Sequence, residues 1–282
     1  MNTVTLNSNN PTSAGLVYYD GPEIGEHLVR ALTDSGLDPH ALDVDDLAPL
    51  DEFHALGRAA TLALAELAGV GPGQRVLDVG AGIGGPARVL AAHYGAHVTA
   101  LDATPRFCRA AEMLTRGTGL SDQVEVVCGD ALALPSADRA FDLVWSQAVG
   151  QNVADKGRLV SEMARVLRPG GHVALFEVLR GPGGPLEFPV PWADRAEQSW
   201  LVWPSELRRL LERSPLELVS WNEGEQVTAT IVDAAPRVRQ TPGGAQLGLH
   251  LLMPDFEARM AGLARNIAEE KITLVQAVAR RR

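Results

Sequence analysis

Cysteine is almost absent from this chain of 282 residues: Cys108 and Cys128 are the only two. Two cysteines make neither a disulfide framework nor a metal site. Both fall in apolar surroundings, Cys108 in an expected helix and Cys128 at the end of an expected strand, and both are read as small core side chains. Positive charge is also short, with 25 Lys and Arg against 35 Asp and Glu and a formal net charge of −10. That balance opposes binding to nucleic-acid phosphates, and the tail Arg280-Arg281-Arg282 is too short to reverse it. No stretch of ~18 apolar residues is present to cross a membrane, and no basic, then apolar, leader opens the chain. A cytoplasmic address with no membrane partner is the expectation. His27, His40, His93, His97, His172 and His250 show no metal-ligand spacing, so no metal is expected, although His250 has a position from which it can face a substrate. No internal repeat is evident.

Glycine, by contrast, is concentrated where it carries information, in Val76-Leu77-Asp78-Val79-Gly80-Ala81-Gly82-Ile83-Gly84-Gly85-Pro86-Ala87. A short apolar strand ending in an acid breaks into a glycine-rich turn that opens a helix. Glycines allow close approach of backbone to a ligand, and the helix start adds partial positive charge. Gly80-x-Gly82-x-x-Gly85 fits a dinucleotide fingerprint, with Asp102 following Gly80 by 22 residues to receive ribose hydroxyls. Asp78, however, crowds a pyrophosphate and suits an ammonium. A second acid, Asp130, follows the apolar strand Val124 to Cys128 and is placed to accept from an adenine amino group.

Short apolar strands near Arg75, His97, Val124, Phe141 and His172 alternate with helices from Gly84, Pro105 and Asp155, which implies a parallel sheet covered on both faces. Helices are also expected over Glu23 to Thr33 and Asp51 to Leu67, the latter with Asp51 as N-cap. After Leu179 the rhythm breaks into Gly181-Pro182-Gly183-Gly184-Pro185 and Phe188-Pro189-Val190-Pro191-Trp192. A helix over Pro204 to Arg213 and strands over Leu216 to Trp221 and Ile272 to Ala279 follow. The stretch from Gln226 to Asn266 is longer than an ordinary connection.

The segments LDVGAGIGGPAR (77–88), VTALDAT (98–104), GDALALP (129–135), FDLVWSQAV (141–149) and RVLRPGGHVALFEVL (165–179) together resemble class I S-adenosylmethionine-dependent methyltransferases, nearest to the sterol, tocopherol and ubiquinone-type small-molecule enzymes of secondary metabolism. The resemblance implies an α/β fold: a Rossmann-like, seven-stranded, mostly parallel sheet of order 3-2-1-4-5-7-6, with helices on both faces and a helical substrate cap. It implies S-adenosyl-L-methionine as cofactor. Gly80 and Gly82 would line its methionine part, Asp102 its ribose, Asp130 and Ala131 its adenine, with Gln147 beside the methionine end and Asp78 on the ammonium. The expected organisation is a disordered 1–14, an N-terminal helical cap over 15–68, a cofactor-binding core over 69–180 and 204–282, and inserted cap segments at 181–203 and 226–266.

Methyl transfer is an in-line displacement governed by positioning, and a hydroxyl or amine acceptor needs a base within reach. His54, in DEFHALGR, is the leading candidate base, against the alternative of a histidine that bonds backbone. Tyr19, with Tyr18, resembles a tyrosine-containing segment that closes over the cofactor in relatives, against the alternative of a core role for one of them. Glu177, on the fifth strand, is either functional or tied to a cation such as Arg180. Asn152 is a cofactor or substrate contact or a turn residue. Three of the five tryptophans, Trp192, Trp200 and Trp203, fall in the expected cap and fit either an apolar substrate surface or cap packing. The expected activity is O- or N-methylation of a small-molecule secondary metabolite. The alternatives are Mg²⁺-dependent C-methylation of an isoprenoid, for which Arg195, Arg208 and Arg209 are the few cations on hand, a non-methylating S-adenosylmethionine-binding cyclase or regulatory module, and an NAD-dependent oxidoreductase. Monomer and homodimer are both open.

Overall fold

The computed structural model describes residues 23–234 and 247–282. The expectations for 1–14, for Tyr18 and Tyr19, and for part of 226–266 lie outside those residues. Helices α1 (Gly25–Asp34), α2 (Ala48–Asp51) and α3 (Gly57–Ala68) precede β1 (Arg75–Val79). The chain then alternates: α4 (Gly85–Tyr94), β2 (His97–Asp102), α5 (Pro105–Gly117), β3 (Val124–Cys128), β4 (Phe141–Gln147), α6 (Lys156–Val166) and β5 (Leu167–Arg180). After it come α7 (Pro204–Arg213), β6 (Leu216–Glu223), α8 (Glu225–Ala234), α9 (Phe256–Ala268) and β7 (Ile272–Arg281). The seven strands form one sheet of order β3-β2-β1-β4-β5-β7-β6. β1 to β5 pair in parallel, and β7 runs antiparallel to both β5 and β6. This is the Rossmann-like order and direction expected.

Local chemistry explains the element boundaries. Proline stands in the first turn of α4, α5 and α7, where its missing N–H costs nothing. The Asp155 carboxylate accepts from the Arg158 backbone N–H at 2.8 Å and caps α6. Each central strand alternates its side chains between two cores. From β1, Val76 joins Ala60, Leu64 and Leu90 of α3 and α4 on one face. Leu77 and Val79 join Leu159, Met163 and Leu211 of α6 and α7 on the other. Asp78 therefore projects toward the α3–α4 side from the middle of the sheet.

Three expectations are corrected. Asp51 is not the N-cap of a helix running to Leu67: it ends α2, the chain turns through Glu52–Leu56, and α3 starts at Gly57 after Leu56 adopts a left-handed φ of 66°. The reason is that Asp51 is committed elsewhere, its carboxylate lying 2.6 Å from the Arg88 guanidinium of α4 with both side chains fully buried. Cys128 is exposed rather than in the core, because it ends the edge strand β3; Cys108 is buried as expected. Finally, β5 begins at Leu167 rather than near His172, pairing with Phe141 and then slipping register around the Arg168-Pro169-Gly170-Gly171 turn.

A buried ion pair with one partner removed leaves an uncompensated charge. Arg88→Met should therefore cost about 3–5 kcal/mol in urea unfolding, and adding Asp51→Leu should recover most of it. A single-variant loss below about 1 kcal/mol would show that the pair does not hold α2 to α4.

Candidate active site

At the carboxyl ends of β1, β2 and β4 the structure encloses a cavity of about 400 Å³, within the ~300–1,000 Å³ range of small-molecule sites. Open α/β sheets place ligands at this end. Asp78, Gly80, Gly82, Asp102, Asp130, Ala131 and Gln147 all line it, as do His54 and Asn152.

The glycine turn is shaped by packing. Gly80 has a φ of 74°, and a Cβ there would sit 2.4 Å from a Val149 methyl. A Cβ on Gly85 would fall 2.1 Å from the Asp51 carbonyl, so glycine is what lets α2 approach the start of α4. The turn's amides are engaged within the protein. Gly80 and Ala81 donate to the Leu101 carbonyl at 2.7 and 2.9 Å, and Gly84 donates to Ala81 at 2.8 Å. Gly82 donates to Asp102 Oδ2 at 2.9 Å. A pyrophosphate would find few of these donors free, which weighs against the dinucleotide alternative.

The acids behave differently from one another. Asp78 is 2% exposed, and its Oδ2 has no hydrogen-bond partner among the described residues. Burial, reinforced by the neighbouring charges of Asp102 and Glu52, raises its pKa to about 8. Burial also raises the pKa of Asp102, against the backbone N–H groups of Thr104 and Gly82 that favour its charged form. Asp130 accepts from the Leu132 backbone N–H at 2.8 Å, which fixes the turn after β3.

His54 forms part of the wall, but its ring is tied down. Nδ1 is 3.1 Å from the Ala55 carbonyl and Nε2 is 2.8 Å from Glu52 Oε2, with the side chain only 3% exposed. Glu52 anchors this corner. Burial alone would raise its pKa, but hydrogen bonds from His54 and Thr61 and the charges of Arg58 and His54 hold it at about 2. Arg58 bonds Glu52 through Nε and reaches Asp45 at 3.1 Å. Thr61 Oγ1 lies 2.7 Å from Glu52 Oε2 and 3.2 Å from Gln147 Oε1, joining the network to β4. Glu52 and Thr61 went unread in the sequence. Their signal was there: Arg58 and Thr61 stand three residues apart in an otherwise Ala- and Leu-rich helix, six and nine residues after an acid.

Glu177 does not reach the cavity. Its carboxylate accepts from the Gly150 backbone N–H at 2.9 Å and the Ser146 hydroxyl at 3.4 Å, on the opposite face of β5. Burial raises its pKa to about 7 against the nearby Lys156 charge. Nor is it paired with Arg180, whose guanidinium stacks 5.6 Å from the Trp203 ring. Of the three clustered tryptophans only Trp192 lines the cavity, and His250 packs against Phe256 instead. The described residues contain no group of three or more His, Cys, Asp or Glu that could hold a metal, and no helix long and apolar enough to cross a membrane.

Residues 77–175 match the family described as methyltransferase domain. This stretch is similar to a methyltransferase domain. It contains the glycine turn, Asp102, Asp130 and Gln147 together. Among relatives, the glycine/sarcosine/dimethylglycine N-methyltransferase of Actinopolyspora halophila is 32% identical over 62% of this chain and 31% of its own length. The chloroplastic tocopherol O-methyltransferase of Arabidopsis thaliana is 37% identical over 36% of this chain and 29% of its own. The chain spans between 28% and 56% of the length of the first curated relatives it matches. For the whole fold, geranyl diphosphate C-methyltransferase of Streptomyces coelicolor A3(2), solved with Mg²⁺, geranyl diphosphate and S-adenosyl-L-homocysteine, superposes with a TM-score of 0.67 at 17% identity. It covers 98% of this chain and 99% of that one. The likeness in fold thus extends beyond residues 77–175.

The Asp78 pKa of about 8 exceeds the ordinary carboxylate value of 3.8, so the native state keeps a proton that the unfolded chain releases. Stability from this group is complete below about pH 4 and is lost as pH rises through about 8. Asp78→Asn removes that loss. In ligand-free protein its Tm relative to wild type should climb by a few degrees between about pH 5 and 8.5; a pH-independent difference would refute the unpaired state of Asp78.

Proposed function

We propose that this protein transfers a methyl group from S-adenosylmethionine to a small-molecule acceptor, by O- or N-methylation. The observation that carries the proposal is Asp78: a buried carboxylate with an unpartnered oxygen, on a residue that lines the cavity, asks for a cationic ligand group. An α-ammonium supplies that charge, and the residues present fit the rest of the cofactor. Gly80 and Gly82 leave room beside its aminoacyl part, Gln147 presents an amide, and Asp102 has lone pairs for a ribose diol. Asp130 and Ala131 stand at the adenine end. When bound, the cofactor supplies a methyl group activated by a sulfonium. Relatives in sequence act on both nitrogen and oxygen acceptors, which supports the reading and leaves the two acceptor atoms open.

The chain's own part is to hold two reactants in line in a pocket from which water is excluded. The segment after β5 and helix α9 form the cap in this reading: Pro191, Trp192, Met260, Leu263 and Ile267 close the cavity over the glycine turn. His54 acts as a positioning residue, since both ring nitrogens are committed to Glu52 and Ala55.

Isothermal titration should find S-adenosylmethionine and S-adenosylhomocysteine binding in about the micromolar range, with no NAD binding. Asp78→Ala should weaken both by about 10–100-fold, the scale of a hydrogen bond to a charged group. Because Asp78 must ionise to hold the ammonium, affinity should fall by up to about tenfold per pH unit below 8. NAD binding without S-adenosylhomocysteine binding would reject the proposal, as would transfer of no labelled methyl group to any of a panel of hydroxyl and amine acceptors.

A further inference from the structure

Two buried amides, one on the last residue of β4 and one just after it, each leave one atom without a partner among the described residues: Nε2 of Gln147 and Oε1 of Gln151. The residues are 7% and 5% exposed, and both line the cavity. Neither amide can be turned end for end. Gln147 Oε1 accepts at 2.9 Å from the Trp145 indole N–H, a group that only donates, so the NH₂ is its free end. Gln151 Nε2 donates at 2.6 Å to the Ala148 carbonyl, which only accepts, so the carbonyl oxygen is its free end. The turn that carries Gln151 is itself strained: Ala148 holds a left-handed φ of 54°, a conformation that non-glycine residues keep only when their surroundings require it. Its N–H donates to the Phe176 carbonyl at 2.7 Å, which locks the turn to β5.

An unpaired, buried acceptor oxygen calls for a donor. The cavity has apolar walls that include Val178, Trp192, Met253, Met260 and Leu263, and among the described residues no Lys or Arg lines it. The acidic lining residues among those described are Asp51, Asp78, Asp102 and Asp130. A phosphate or carboxylate on the substrate would meet these carboxyl groups and, among the described residues, no Lys or Arg to balance it.

The geometry points to Gln151 as a specificity-determining residue that accepts one O–H or N–H hydrogen from the methyl acceptor, which is a neutral, largely apolar molecule without a phosphate or carboxylate group. This rests on the methyl-transfer reading and narrows its substrate class. It also sets the chain apart from an enzyme acting on an isoprenoid diphosphate, despite the shared fold. Gln151 is uncharged and removes no proton; it orients the acceptor by its hydrogen while the apolar walls hold the remainder.

The test uses full-length protein saturated with S-adenosylhomocysteine, titrated with 4-octylphenol, its methyl ether and its phosphate monoester. The phenol should bind about tenfold tighter than the ether, the worth of one hydrogen bond, and the phosphate ester at least about tenfold weaker than the phenol. Gln151→Met should bring the phenol-to-ether ratio to near one while leaving S-adenosylhomocysteine affinity unchanged. The inference is overturned if the phenol does not bind, if wild type shows no preference for it over the ether, if the preference survives in Gln151→Met, or if the phosphate ester binds as tightly as the phenol. The wild-type comparison stands even if the variant fails to fold. Absence of S-adenosylhomocysteine binding at the outset would reject the cofactor reading instead, and the ligand ratios can then still be measured without it.

Discussion

The Asp51 carboxylate meets the Arg88 guanidinium at 2.6 Å with neither side chain exposed, and at the same place the backbone of α2 lies so close to Gly85 that any side chain there would collide with it. This one junction bolts the N-terminal helices to the first helix of the sheet domain. The cavity follows from it. With α2 held against α4, the turn through Glu52 to Leu56 has to cross above the carboxyl ends of β1 and β4, and Phe53, His54, Ala55 and Leu56 become a wall. Two charges removed from water are costly; what they secure here is the position of that wall.

The acids of the site differ in how far they are satisfied; Asp51 keeps one oxygen unpartnered but pairs with Arg88 through the other. Glu52 has His54, Arg58 and Thr61 around it and stays ionised. Asp102 is held by the backbone amides of Gly82 and Thr104. Asp78 stands between them with an oxygen unpartnered, its charge suppressed by burial and by the other two. Such an arrangement is costly in the empty protein and is relieved when a cation enters, so stability and ligand recognition draw on the same carboxylate. The far end of the cavity has the opposite character, apolar walls with single polar atoms facing in.

Much of the cofactor side was legible from residue order because its logic is local. A strand, an acid and a glycine turn that starts a helix must adopt nearly one geometry, and Asp102 and Asp130 sit at strand ends where the alternation of strand and helix places them. The strand order came from the resemblance rather than from periodicity, since hydrophobic pattern alone does not say which strands are neighbours. Failures came where a side chain's partner is distant in sequence. Asp51 looks like a helix cap until Arg88, 37 residues away, is seen to claim it. Glu177 looks like an active-site acid until the alternation of β5 turns it to the other face, toward Gly150. Cys128 looks buried until β3 proves to be the sheet edge.

By itself, then, the sequence determined one side of the cavity: the sheet's parallel strands, the glycine turn and the acids at the strand ends, all set by interactions within about one turn or strand of chain. The tertiary structure alone decided which cavity-lining residues hold a polar atom without a partner among the described residues, namely Asp51 at Oδ2, Asp78 at Oδ2, Gln147 at Nε2 and Gln151 at Oε1. That distinction depends on what every other segment brings near, because a hydrogen-bonding group is satisfied or left open by neighbours that chain order does not reveal.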